Sequence, residues 1–210
     1  MHELVIPEGV TEIEDYAFKR CFGLQKISFP DSLEIIGEGA FDSCVRLPEV
    51  HLPRKVKVIP KQMFFGCTSL MSVEFPENLR KISQYSFANC PDLCEITLPD
   101  KTRTIEEHCF EKCDNLKTIN FNEGLIYIGK NAFGSCPAIE SLTLPRSVQE
   151  LGGVIGKSNE DDMLFRSISD NPDLPVFVYK GSASERTAKD CGIKYGYIPE
   201  EPEVIEPVVI

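Results

Sequence analysis

Phenylalanine recurs every 23 residues along most of this 210-residue chain, and a cysteine follows each member of the series three positions later. The phenylalanines are Phe18, Phe41, Phe64, Phe87, Phe110 and Phe133, and the cysteines are Cys21, Cys44, Cys67, Cys90, Cys113 and Cys136. A fixed period of roughly 20–50 residues indicates a solenoid, in which each coil buries its apolar face by stacking on the next. The length of the chain therefore measures the number of coils rather than the number of domains.

One repeat, residues 24–46, shows how a coil is built. Ile27 and Phe29 alternate with polar neighbours, which predicts a short strand, and Pro30 ends it because proline cannot donate to a sheet ladder. The apolar residues after Pro30 are spaced by three, which predicts short helical or 3₁₀ turns on the return path. These residues are Leu33, Ile36, Ala40, Phe41 and Cys44.

Side chains that alternate with the apolar strand residues point away from the core. They form two columns of small polar and acidic groups, named here the strand face, which are the candidate binding surface. The strand face consists of Lys26, Ser28, Glu49, His51, Ser72, Glu74, Glu95, Thr97, Thr118, Asn120, Ser141 and Thr143. It holds no Trp, Tyr, Phe or Arg, although binding hot spots favour Trp, Tyr and Arg. Weak binding spread over a large area, a ligand on another face, and a merely solvated sheet all stay open.

The 23-residue register ends after Leu151, and three further segments are expected. Residues 153–170 form a polar insertion, residues 171–198 hold a last strand and a C-terminal cap, and residues 199–210 form an acidic, proline-containing tail. Residues 1–198 are therefore predicted to be a single domain.

The last strand is predicted at residues 176–179, with Phe177 and Tyr179 facing the core. A capping box at Ser182–Glu185 predicts a helix start, because the serine oxygen accepts from a free backbone N–H and the glutamate accepts from the serine N–H. The cap consists of a helix at residues 183–190 and a closing strand at residues 194–198.

Charge and composition limit the classes of partner. The formal net charge is −11, and nucleic acids and anionic membranes both require a basic surface. No apolar run reaches the roughly 20 residues of a membrane helix, and the first residues lack the basic start and apolar run of a signal peptide. We therefore expect no nucleic-acid partner and no membrane insertion.

The chain opens inside a strand, because Leu4 and Ile6 match Ile27 and Phe29 of the next repeat. Natural solenoids carry a polar cap at each end. Either preceding sequence has been removed, or the uncapped first coil pairs with a partner, self-association included.

Catalytic and metal-binding patterns are weak. His108, Cys109 and Cys113 are metal-ligand types, but Cys113 belongs to the cysteine column and Cys109 replaces an alanine of the repeat, so both are predicted to fill the core. The cysteines are predicted to be reduced and structural, since coils that spread on the return side would hold them beyond the ~7 Å Cα separation of a disulfide. No enzyme activity, cofactor or metal is expected.

The pattern Leu-x-x-Ile-x-Phe-Pro-x-x-Leu-x-x-Ile-x-x-x-Ala-Phe-x-x-Cys, written from Leu24 to Cys44, resembles the BspA-like (Treponema pallidum type) leucine-rich repeats. The resemblance covers residues 3 to about 152, with mild departures at Met63, Ser86 and Asn122. It implies an α/β repeat solenoid: a right-handed leucine-rich-repeat coil with short concave strands, helical or 3₁₀ convex turns and a C-terminal cap.

The resemblance further implies a secreted or cell-surface protein of an anaerobic bacterium, some relatives being linked to adhesion. The predicted function is a non-enzymatic module that binds a protein or glycan of unknown identity. The alternative is a structural spacer or scaffold domain of a larger protein.

Overall fold

In a computed structural model, which describes residues 2–152 and 173–199, the 23-residue period becomes one coil of a β-solenoid. The strands are β1 (Glu3–Val5), β2 (Glu12–Ile13), β3 (Lys26–Ser28), β4 (Ile35–Ile36), β5 (Glu49–His51), β6 (Val58–Ile59), β7 (Ser72–Glu74), β8 (Lys81–Ile82), β9 (Glu95–Thr97), β10 (Thr104–Ile105), β11 (Thr118–Asn120), β12 (Tyr127–Ile128), β13 (Leu142–Thr143), β14 (Glu150–Leu151), β15 (Val176–Val178) and β16 (Tyr195–Tyr197), with helix α1 (Ala183–Asp190) between the last two. The odd-numbered strands from β1 to β15 each open a coil, so the described residues contain eight coils.

The phenylalanine column forms one continuous row in the core, as predicted. Adjacent rings from Phe18 to Phe133 stack with centroids 5.3–5.6 Å apart and interplanar angles of 19° or less. The five members from Phe41 onward are fully buried. Strands of neighbouring coils pair in parallel at the same 23-residue offset, for example Leu4 with Ile27 and Ile96 with Ile119. Each coil is therefore sealed only by its neighbours.

The return path differs from the prediction. Ile36 lies in the two-residue strand β4, and residues 38–43 form turns, with no α or 3₁₀ helix within residues 2–152. The turn backbone bonds to the next coil: Tyr16, Phe18 and Arg20 donate N–H groups to carbonyls of that coil at 2.7–2.8 Å. The N–H groups of the turn are therefore hydrogen-bonded between coils and not within a helix. The three-residue spacing of the apolar residues marks side chains that face the core.

Two residues of each turn adopt a left-handed backbone, which a right-handed helix cannot include. They form two further 23-residue columns: Tyr16, Gly39, Gln62, Tyr85, His108 and Asn131, and Arg20, Ser43, Gly66, Asn89, Lys112 and Ser135. Most members are not glycine, so the position is imposed by the stacked neighbours.

Hydrogen bonding between coils is interrupted at defined places. The first strands group as β1–β3, β5–β7, β9–β11 and β13–β15–β16. The second strands form β2–β4 and a five-stranded sheet from β6 to β14. Pro60 directly follows β6, at the position where Gly37 and Ser83 donate an N–H to the preceding coil at 2.8 and 3.0 Å. Proline lacks this donor, so the ladder stops there.

The C-terminal elements correct two predictions. In β15 it is Val176 and Val178 that are buried, and Val176 pairs with Leu142, so Phe177 faces outward. Phe177 and Tyr179 therefore do not occupy the inward positions assigned to them.

Helix α1 has the predicted limits, and Glu185 donates its backbone N–H to the Ser182 hydroxyl at 3.1 Å. The Glu185 carboxylate, however, accepts from Gly181 instead of Ser182. The predicted insertion at residues 153–170 and, beyond Pro199, the predicted tail lie outside the described residues.

Candidate interaction surface

The strand face forms an exposed surface that crosses six coils. Eleven of its twelve residues are exposed, and Ser28 is half-buried. Ser141 directly precedes β13, and the others lie within β3, β5, β7, β9, β11 and β13. The alternation along each short strand therefore brings these residues onto one side of the solenoid.

Several of these side chains bond to a side chain of a neighbouring coil. His51 Nδ1 lies 2.5 Å from Glu74 Oε2, and Lys26 Nζ lies 2.9 Å from Glu3. Asn120 donates to Glu95 at 2.9 Å and to Thr97 at 3.0 Å. The hydrogen bond to Glu3 raises the pKa of the Lys26 ammonium. These contacts hold part of the surface in a fixed arrangement.

The surface carries an excess of carboxylates in its central coils. Among the described residues, Glu49, Glu77 and Glu95 make no ion pair with a lysine, arginine or histidine. Glu77 lies just beyond β7, beside the strand face. An acidic surface of this kind favours a partner that presents positive charge.

Aromatic groups at the C-terminal end were missed by the sequence analysis. Phe177 pairs with Thr143 at the outward position, and its ring lies over Gly196, where an added Cβ would come within 3.1 Å. Tyr195 and Tyr197 contact each other edge to face with centroids 5.7 Å apart. The pairing of Val176 with Leu142 identifies Phe177 as outward, whereas residues 176–178 are all apolar and give no such signal. Phe177 thus continues the outward column into the eighth coil with an aromatic side chain, beyond the twelve residues of the strand face.

A second surface feature lies at the interruption caused by Pro60. Ile35 and Val58 are 55% and 45% exposed, and they line a cleft of about 450 Å³ between β4 and β6. The Glu34–Lys55 ion pair, 2.9 Å long, closes one side. The residues that precede Pro60 resemble those of other coils. In the sequence, the proline is therefore the feature from which this cleft could have been predicted.

The cysteine column is part of the inter-coil hydrogen bonding. Cys67, Cys90 and Cys113 donate S–H groups to the carbonyl of the phenylalanine 26 residues earlier, at 3.2–3.3 Å. Burial raises the pKa of the Cys44 and Cys90 thiols to about 12. The expectation that coils spread apart here is wrong, since Ser43 donates its N–H to the next coil at 2.7 Å. The thiols are free and enclosed by neighbouring coils.

His108, Cys109 and Cys113, which are of metal-ligand type, each contact a different group and do not converge on one point. The Cys109 thiol donates to the Ser83 carbonyl at 3.0 Å, and Cys113 to that of Phe87. His108 stacks on Tyr85 with centroids 4.7 Å apart. Within residues 2–152 and 173–199, no three His, Cys, Asp or Glu side chains are arranged to hold a metal ion.

The family model of the BspA type leucine-rich repeat region matches the chain in six copies, over residues 1–97 and 35–155. The chain belongs to the BspA-type leucine-rich repeat family. This confirms the resemblance drawn from the Leu24–Cys44 pattern, and the leucine-rich repeat is generally a scaffold for protein interaction.

Solved structures share the leucine-rich-repeat fold. A leucine-rich repeat protein from Bacteroides ovatus is 24% identical with a TM-score of 0.63, covering 93% of this chain and 51% of that one. The T. pallidum leucine-rich repeat protein is 25% identical with a TM-score of 0.63, covering 92% and 85%. A leucine-rich cell surface protein from Faecalibacterium prausnitzii is 19% identical with a TM-score of 0.50, covering 95% and 60%. The chain thus spans about half the length of the Bacteroides protein.

No curated protein shows significant similarity to the chain. Among the helices of the described residues, none combines the length and apolar character needed to cross a bilayer.

Proposed function

We propose that this BspA-type chain is a non-enzymatic protein-interaction module displayed on a bacterial cell surface, and that the strand face is its binding surface. The observation that carries the proposal is the alignment of the exposed strand-face residues across six coils while the alternating apolar residues are buried. Stacked repeats create extended surfaces of this kind, which suit protein partners. The name of the Faecalibacterium neighbour, a cell surface protein, supports the location.

We also propose that residues 1–198 act as one domain whose last coil is covered by α1 and β16. The Thr187 hydroxyl donates to the Val148 carbonyl at 3.3 Å, and the Ala183 N–H donates to Arg146 at 3.1 Å. Ala188 and Ile193 are buried against the preceding coil. These contacts join the terminal elements to the repeats.

The test compares two charge-adding variants. Ser72→Arg with Thr118→Arg alters two exposed strand-face positions, and Thr11→Arg with Gln149→Arg alters two exposed positions elsewhere. The immobilised proteins are incubated with bacterial and host surface extracts, and bound material is identified by mass spectrometry. We expect a defined partner to be retained by the wild type and by the second variant, and lost from the first. Equal retention by both variants would remove the strand face as the binding surface and favour the spacer role.

A further inference from the structure

The first strands divide into pairs of coils according to the second inward residue of each strand. This column reads Ile6, Phe29, Leu52, Phe75, Leu98, Phe121, Leu144, so bulky and smaller residues alternate. The strand that follows an isoleucine or leucine coil is hydrogen-bonded to it, as in β1–β3, β5–β7, β9–β11 and β13–β15. Where the residue is phenylalanine, the first strand of the next coil is not hydrogen-bonded to the strand before it, so that β3 and β5, β7 and β9, and β11 and β13 do not pair. The alternation defines a 46-residue unit within the 23-residue period.

Packing explains why the phenylalanines interrupt the sheet. Phe75 meets the ladder residue Phe87 edge to face, with centroids 5.7 Å apart at 86°, and the same contact recurs in the other two phenylalanine coils. Leu52 and Leu98 donate their N–H groups to the next coil at 3.0 and 2.9 Å. Among these described residues, the matching bond from Phe75 to Thr97 is not formed. The larger ring thus separates β7 from β9.

The separation opens a groove of about 380 Å³ near the middle of the strand face. Its apolar wall includes Val73, Phe75 and Leu98. Its rim carries two carboxylates, Glu74 and Glu77, and of these Glu74 bonds to His51 while Glu77 has no ion pair among the described residues. An apolar slot with anionic groups at its edge is the complement of an aliphatic stem that ends in a cation.

We propose that this groove takes a lysine or arginine side chain from an extended segment of a protein partner. The inference rests on the proposed function and names the chemistry of its partner. The aliphatic stem packs against Phe75 and Leu98, and the charged end bonds to the Glu74 and Glu77 carboxylates. Ordinary surface carboxylates attract cations weakly, so burial of the stem against the apolar wall adds affinity. The carboxylates then select a cationic end over a neutral or acidic one.

The probe is the peptide acetyl-Ser-Val-Arg-Val-Ser-amide, compared with twins that carry Gln or Glu in place of Arg. Binding is measured by NMR titration at physiological salt, with the shifts of β7 and β9 amides mapping the site. We expect the Arg peptide to shift the amides around Phe75, and the Gln and Glu peptides to bind about tenfold more weakly or not at all. Equal binding of the three peptides would overturn the proposal.

Four variants locate the site. Glu74→Gln with Glu77→Gln is expected to weaken the Arg peptide about tenfold, whereas the matched pair Glu12→Gln with Glu150→Gln, which removes the same charge from the second strands, leaves affinity within about twofold. Phe75→Leu, which copies the neighbouring leucine coils, is expected to close the groove and abolish binding. Thr97→Lys, an exposed change that supplies an internal cation, gives the same loss without altering the core.

Unchanged binding in Phe75→Leu or Thr97→Lys, or equal weakening in the two glutamine pairs, would contradict the groove as the site. The two proposals remain separable. A surface partner that depends on Ser72 and Thr118 but is still retained by Phe75→Leu and Thr97→Lys would refute the groove and leave the strand face as the binding surface.

Discussion

Each buried cysteine of the repeat serves two physical purposes at the scale of one residue. Its side chain fills a small apolar site beside the phenylalanine row, and its S–H group supplies a weak donor to a carbonyl of the preceding coil. Burial disfavours the thiolate, which is why the pKa of Cys90 rises to about 12. The column therefore suits a stack of coils and offers no activated nucleophile.

The raised thiol pKa predicts a loss of stability at alkaline pH. A cysteine in the unfolded chain ionises near its ordinary pKa of 9.0, while Cys90 in the fold stays neutral until its pKa of about 12. The stabilisation is therefore complete below pH 9 and is lost as the pH rises toward 12. At about pH 10.5 the loss is about 2 kcal/mol for one thiol. We expect Cys90→Ala to be destabilised less, relative to the wild type, at about pH 10.5 than at about pH 8, as measured by urea unfolding.

The exposed Cys94 provides the control for this experiment. Cys94→Ala is expected to differ from the wild type by the same free energy at both pH values, because its side chain is not buried in the fold. A pH-independent effect of Cys90→Ala would show that its thiol is not protected by burial.

At the scale of the element, hydrogen bonds along the stack decide what each segment becomes. The second strands contain only two residues each, yet β6 to β14 form a ladder because each of these coils places a donor opposite the same carbonyl of its neighbour. Pro60 removes one donor and divides this ladder between β4 and β6, although Ile36 and Ile59 remain buried on either side. A single residue can thus open the surface without disturbing the core.

Restoring the donor at position 60 is expected to close the cleft between β4 and β6. Pro60→Ser copies Ser83, which occupies the same place in the next coil and donates to Ile59 at 3.0 Å. The amide of Val58, which has no β4 partner in the described sheet, should then exchange with solvent at least about tenfold more slowly. Hydrogen exchange followed by NMR measures this change.

Pro7→Ser, at an exposed position of the first coil, is the control and should leave the Val58 amide unchanged. Thr104 lies within the intact ladder. If the Val58 amide of the wild type exchanges with solvent as slowly as the Thr104 amide, the ladder is not interrupted between β4 and β6.

Elements differ in how far they were predictable from sequence. The phenylalanine row and the first strands were, because identical residues at a fixed period must stack and period-two alternation is specific to strands. The return path was not, since inward residues three apart fit a helix as well as turns with left-handed residues. The direction of Phe177 was missed because Val176, Phe177 and Val178 are all apolar, so only pairing with Leu142 settles the register.

The candidate surface was predictable in its composition and not in its shape. Alternation placed residues such as Glu49 and Thr118 outward, and the structure has both exposed on their strands. The groove beside Phe75 was not predicted, because it depends on how a large ring packs against Phe87 and on the bond that Thr97 consequently lacks. Packing between coils therefore determines features that no single repeat reveals.

At the scale of the whole molecule, stability is expected to follow a nearest-neighbour rule, because each coil contacts the coils beside it. Phe64 stacks on Phe41 and Phe87, and Phe87 stacks on Phe64 and Phe110. Replacing Phe64 by Leu removes two ring contacts, and replacing Phe87 removes three, because Phe87 also meets Phe75. Replacing both removes four contacts rather than five, since one contact is shared. The double variant should therefore lose about 0.5–1.5 kcal/mol less than the sum of the single variants.

The matched pair Phe41→Leu and Phe110→Leu lies three coils apart and shares no ring contact. Its effects should add within about 0.5 kcal/mol, as measured by urea unfolding in two double-mutant cycles. Equal coupling in the two cycles would mean that strain passes through the whole stack, and the chain would then behave as a single globular core. Coupling confined to Phe64 and Phe87 would instead establish that stability is transmitted one coil at a time, so that a local opening such as the groove at Phe75 leaves distant coils intact.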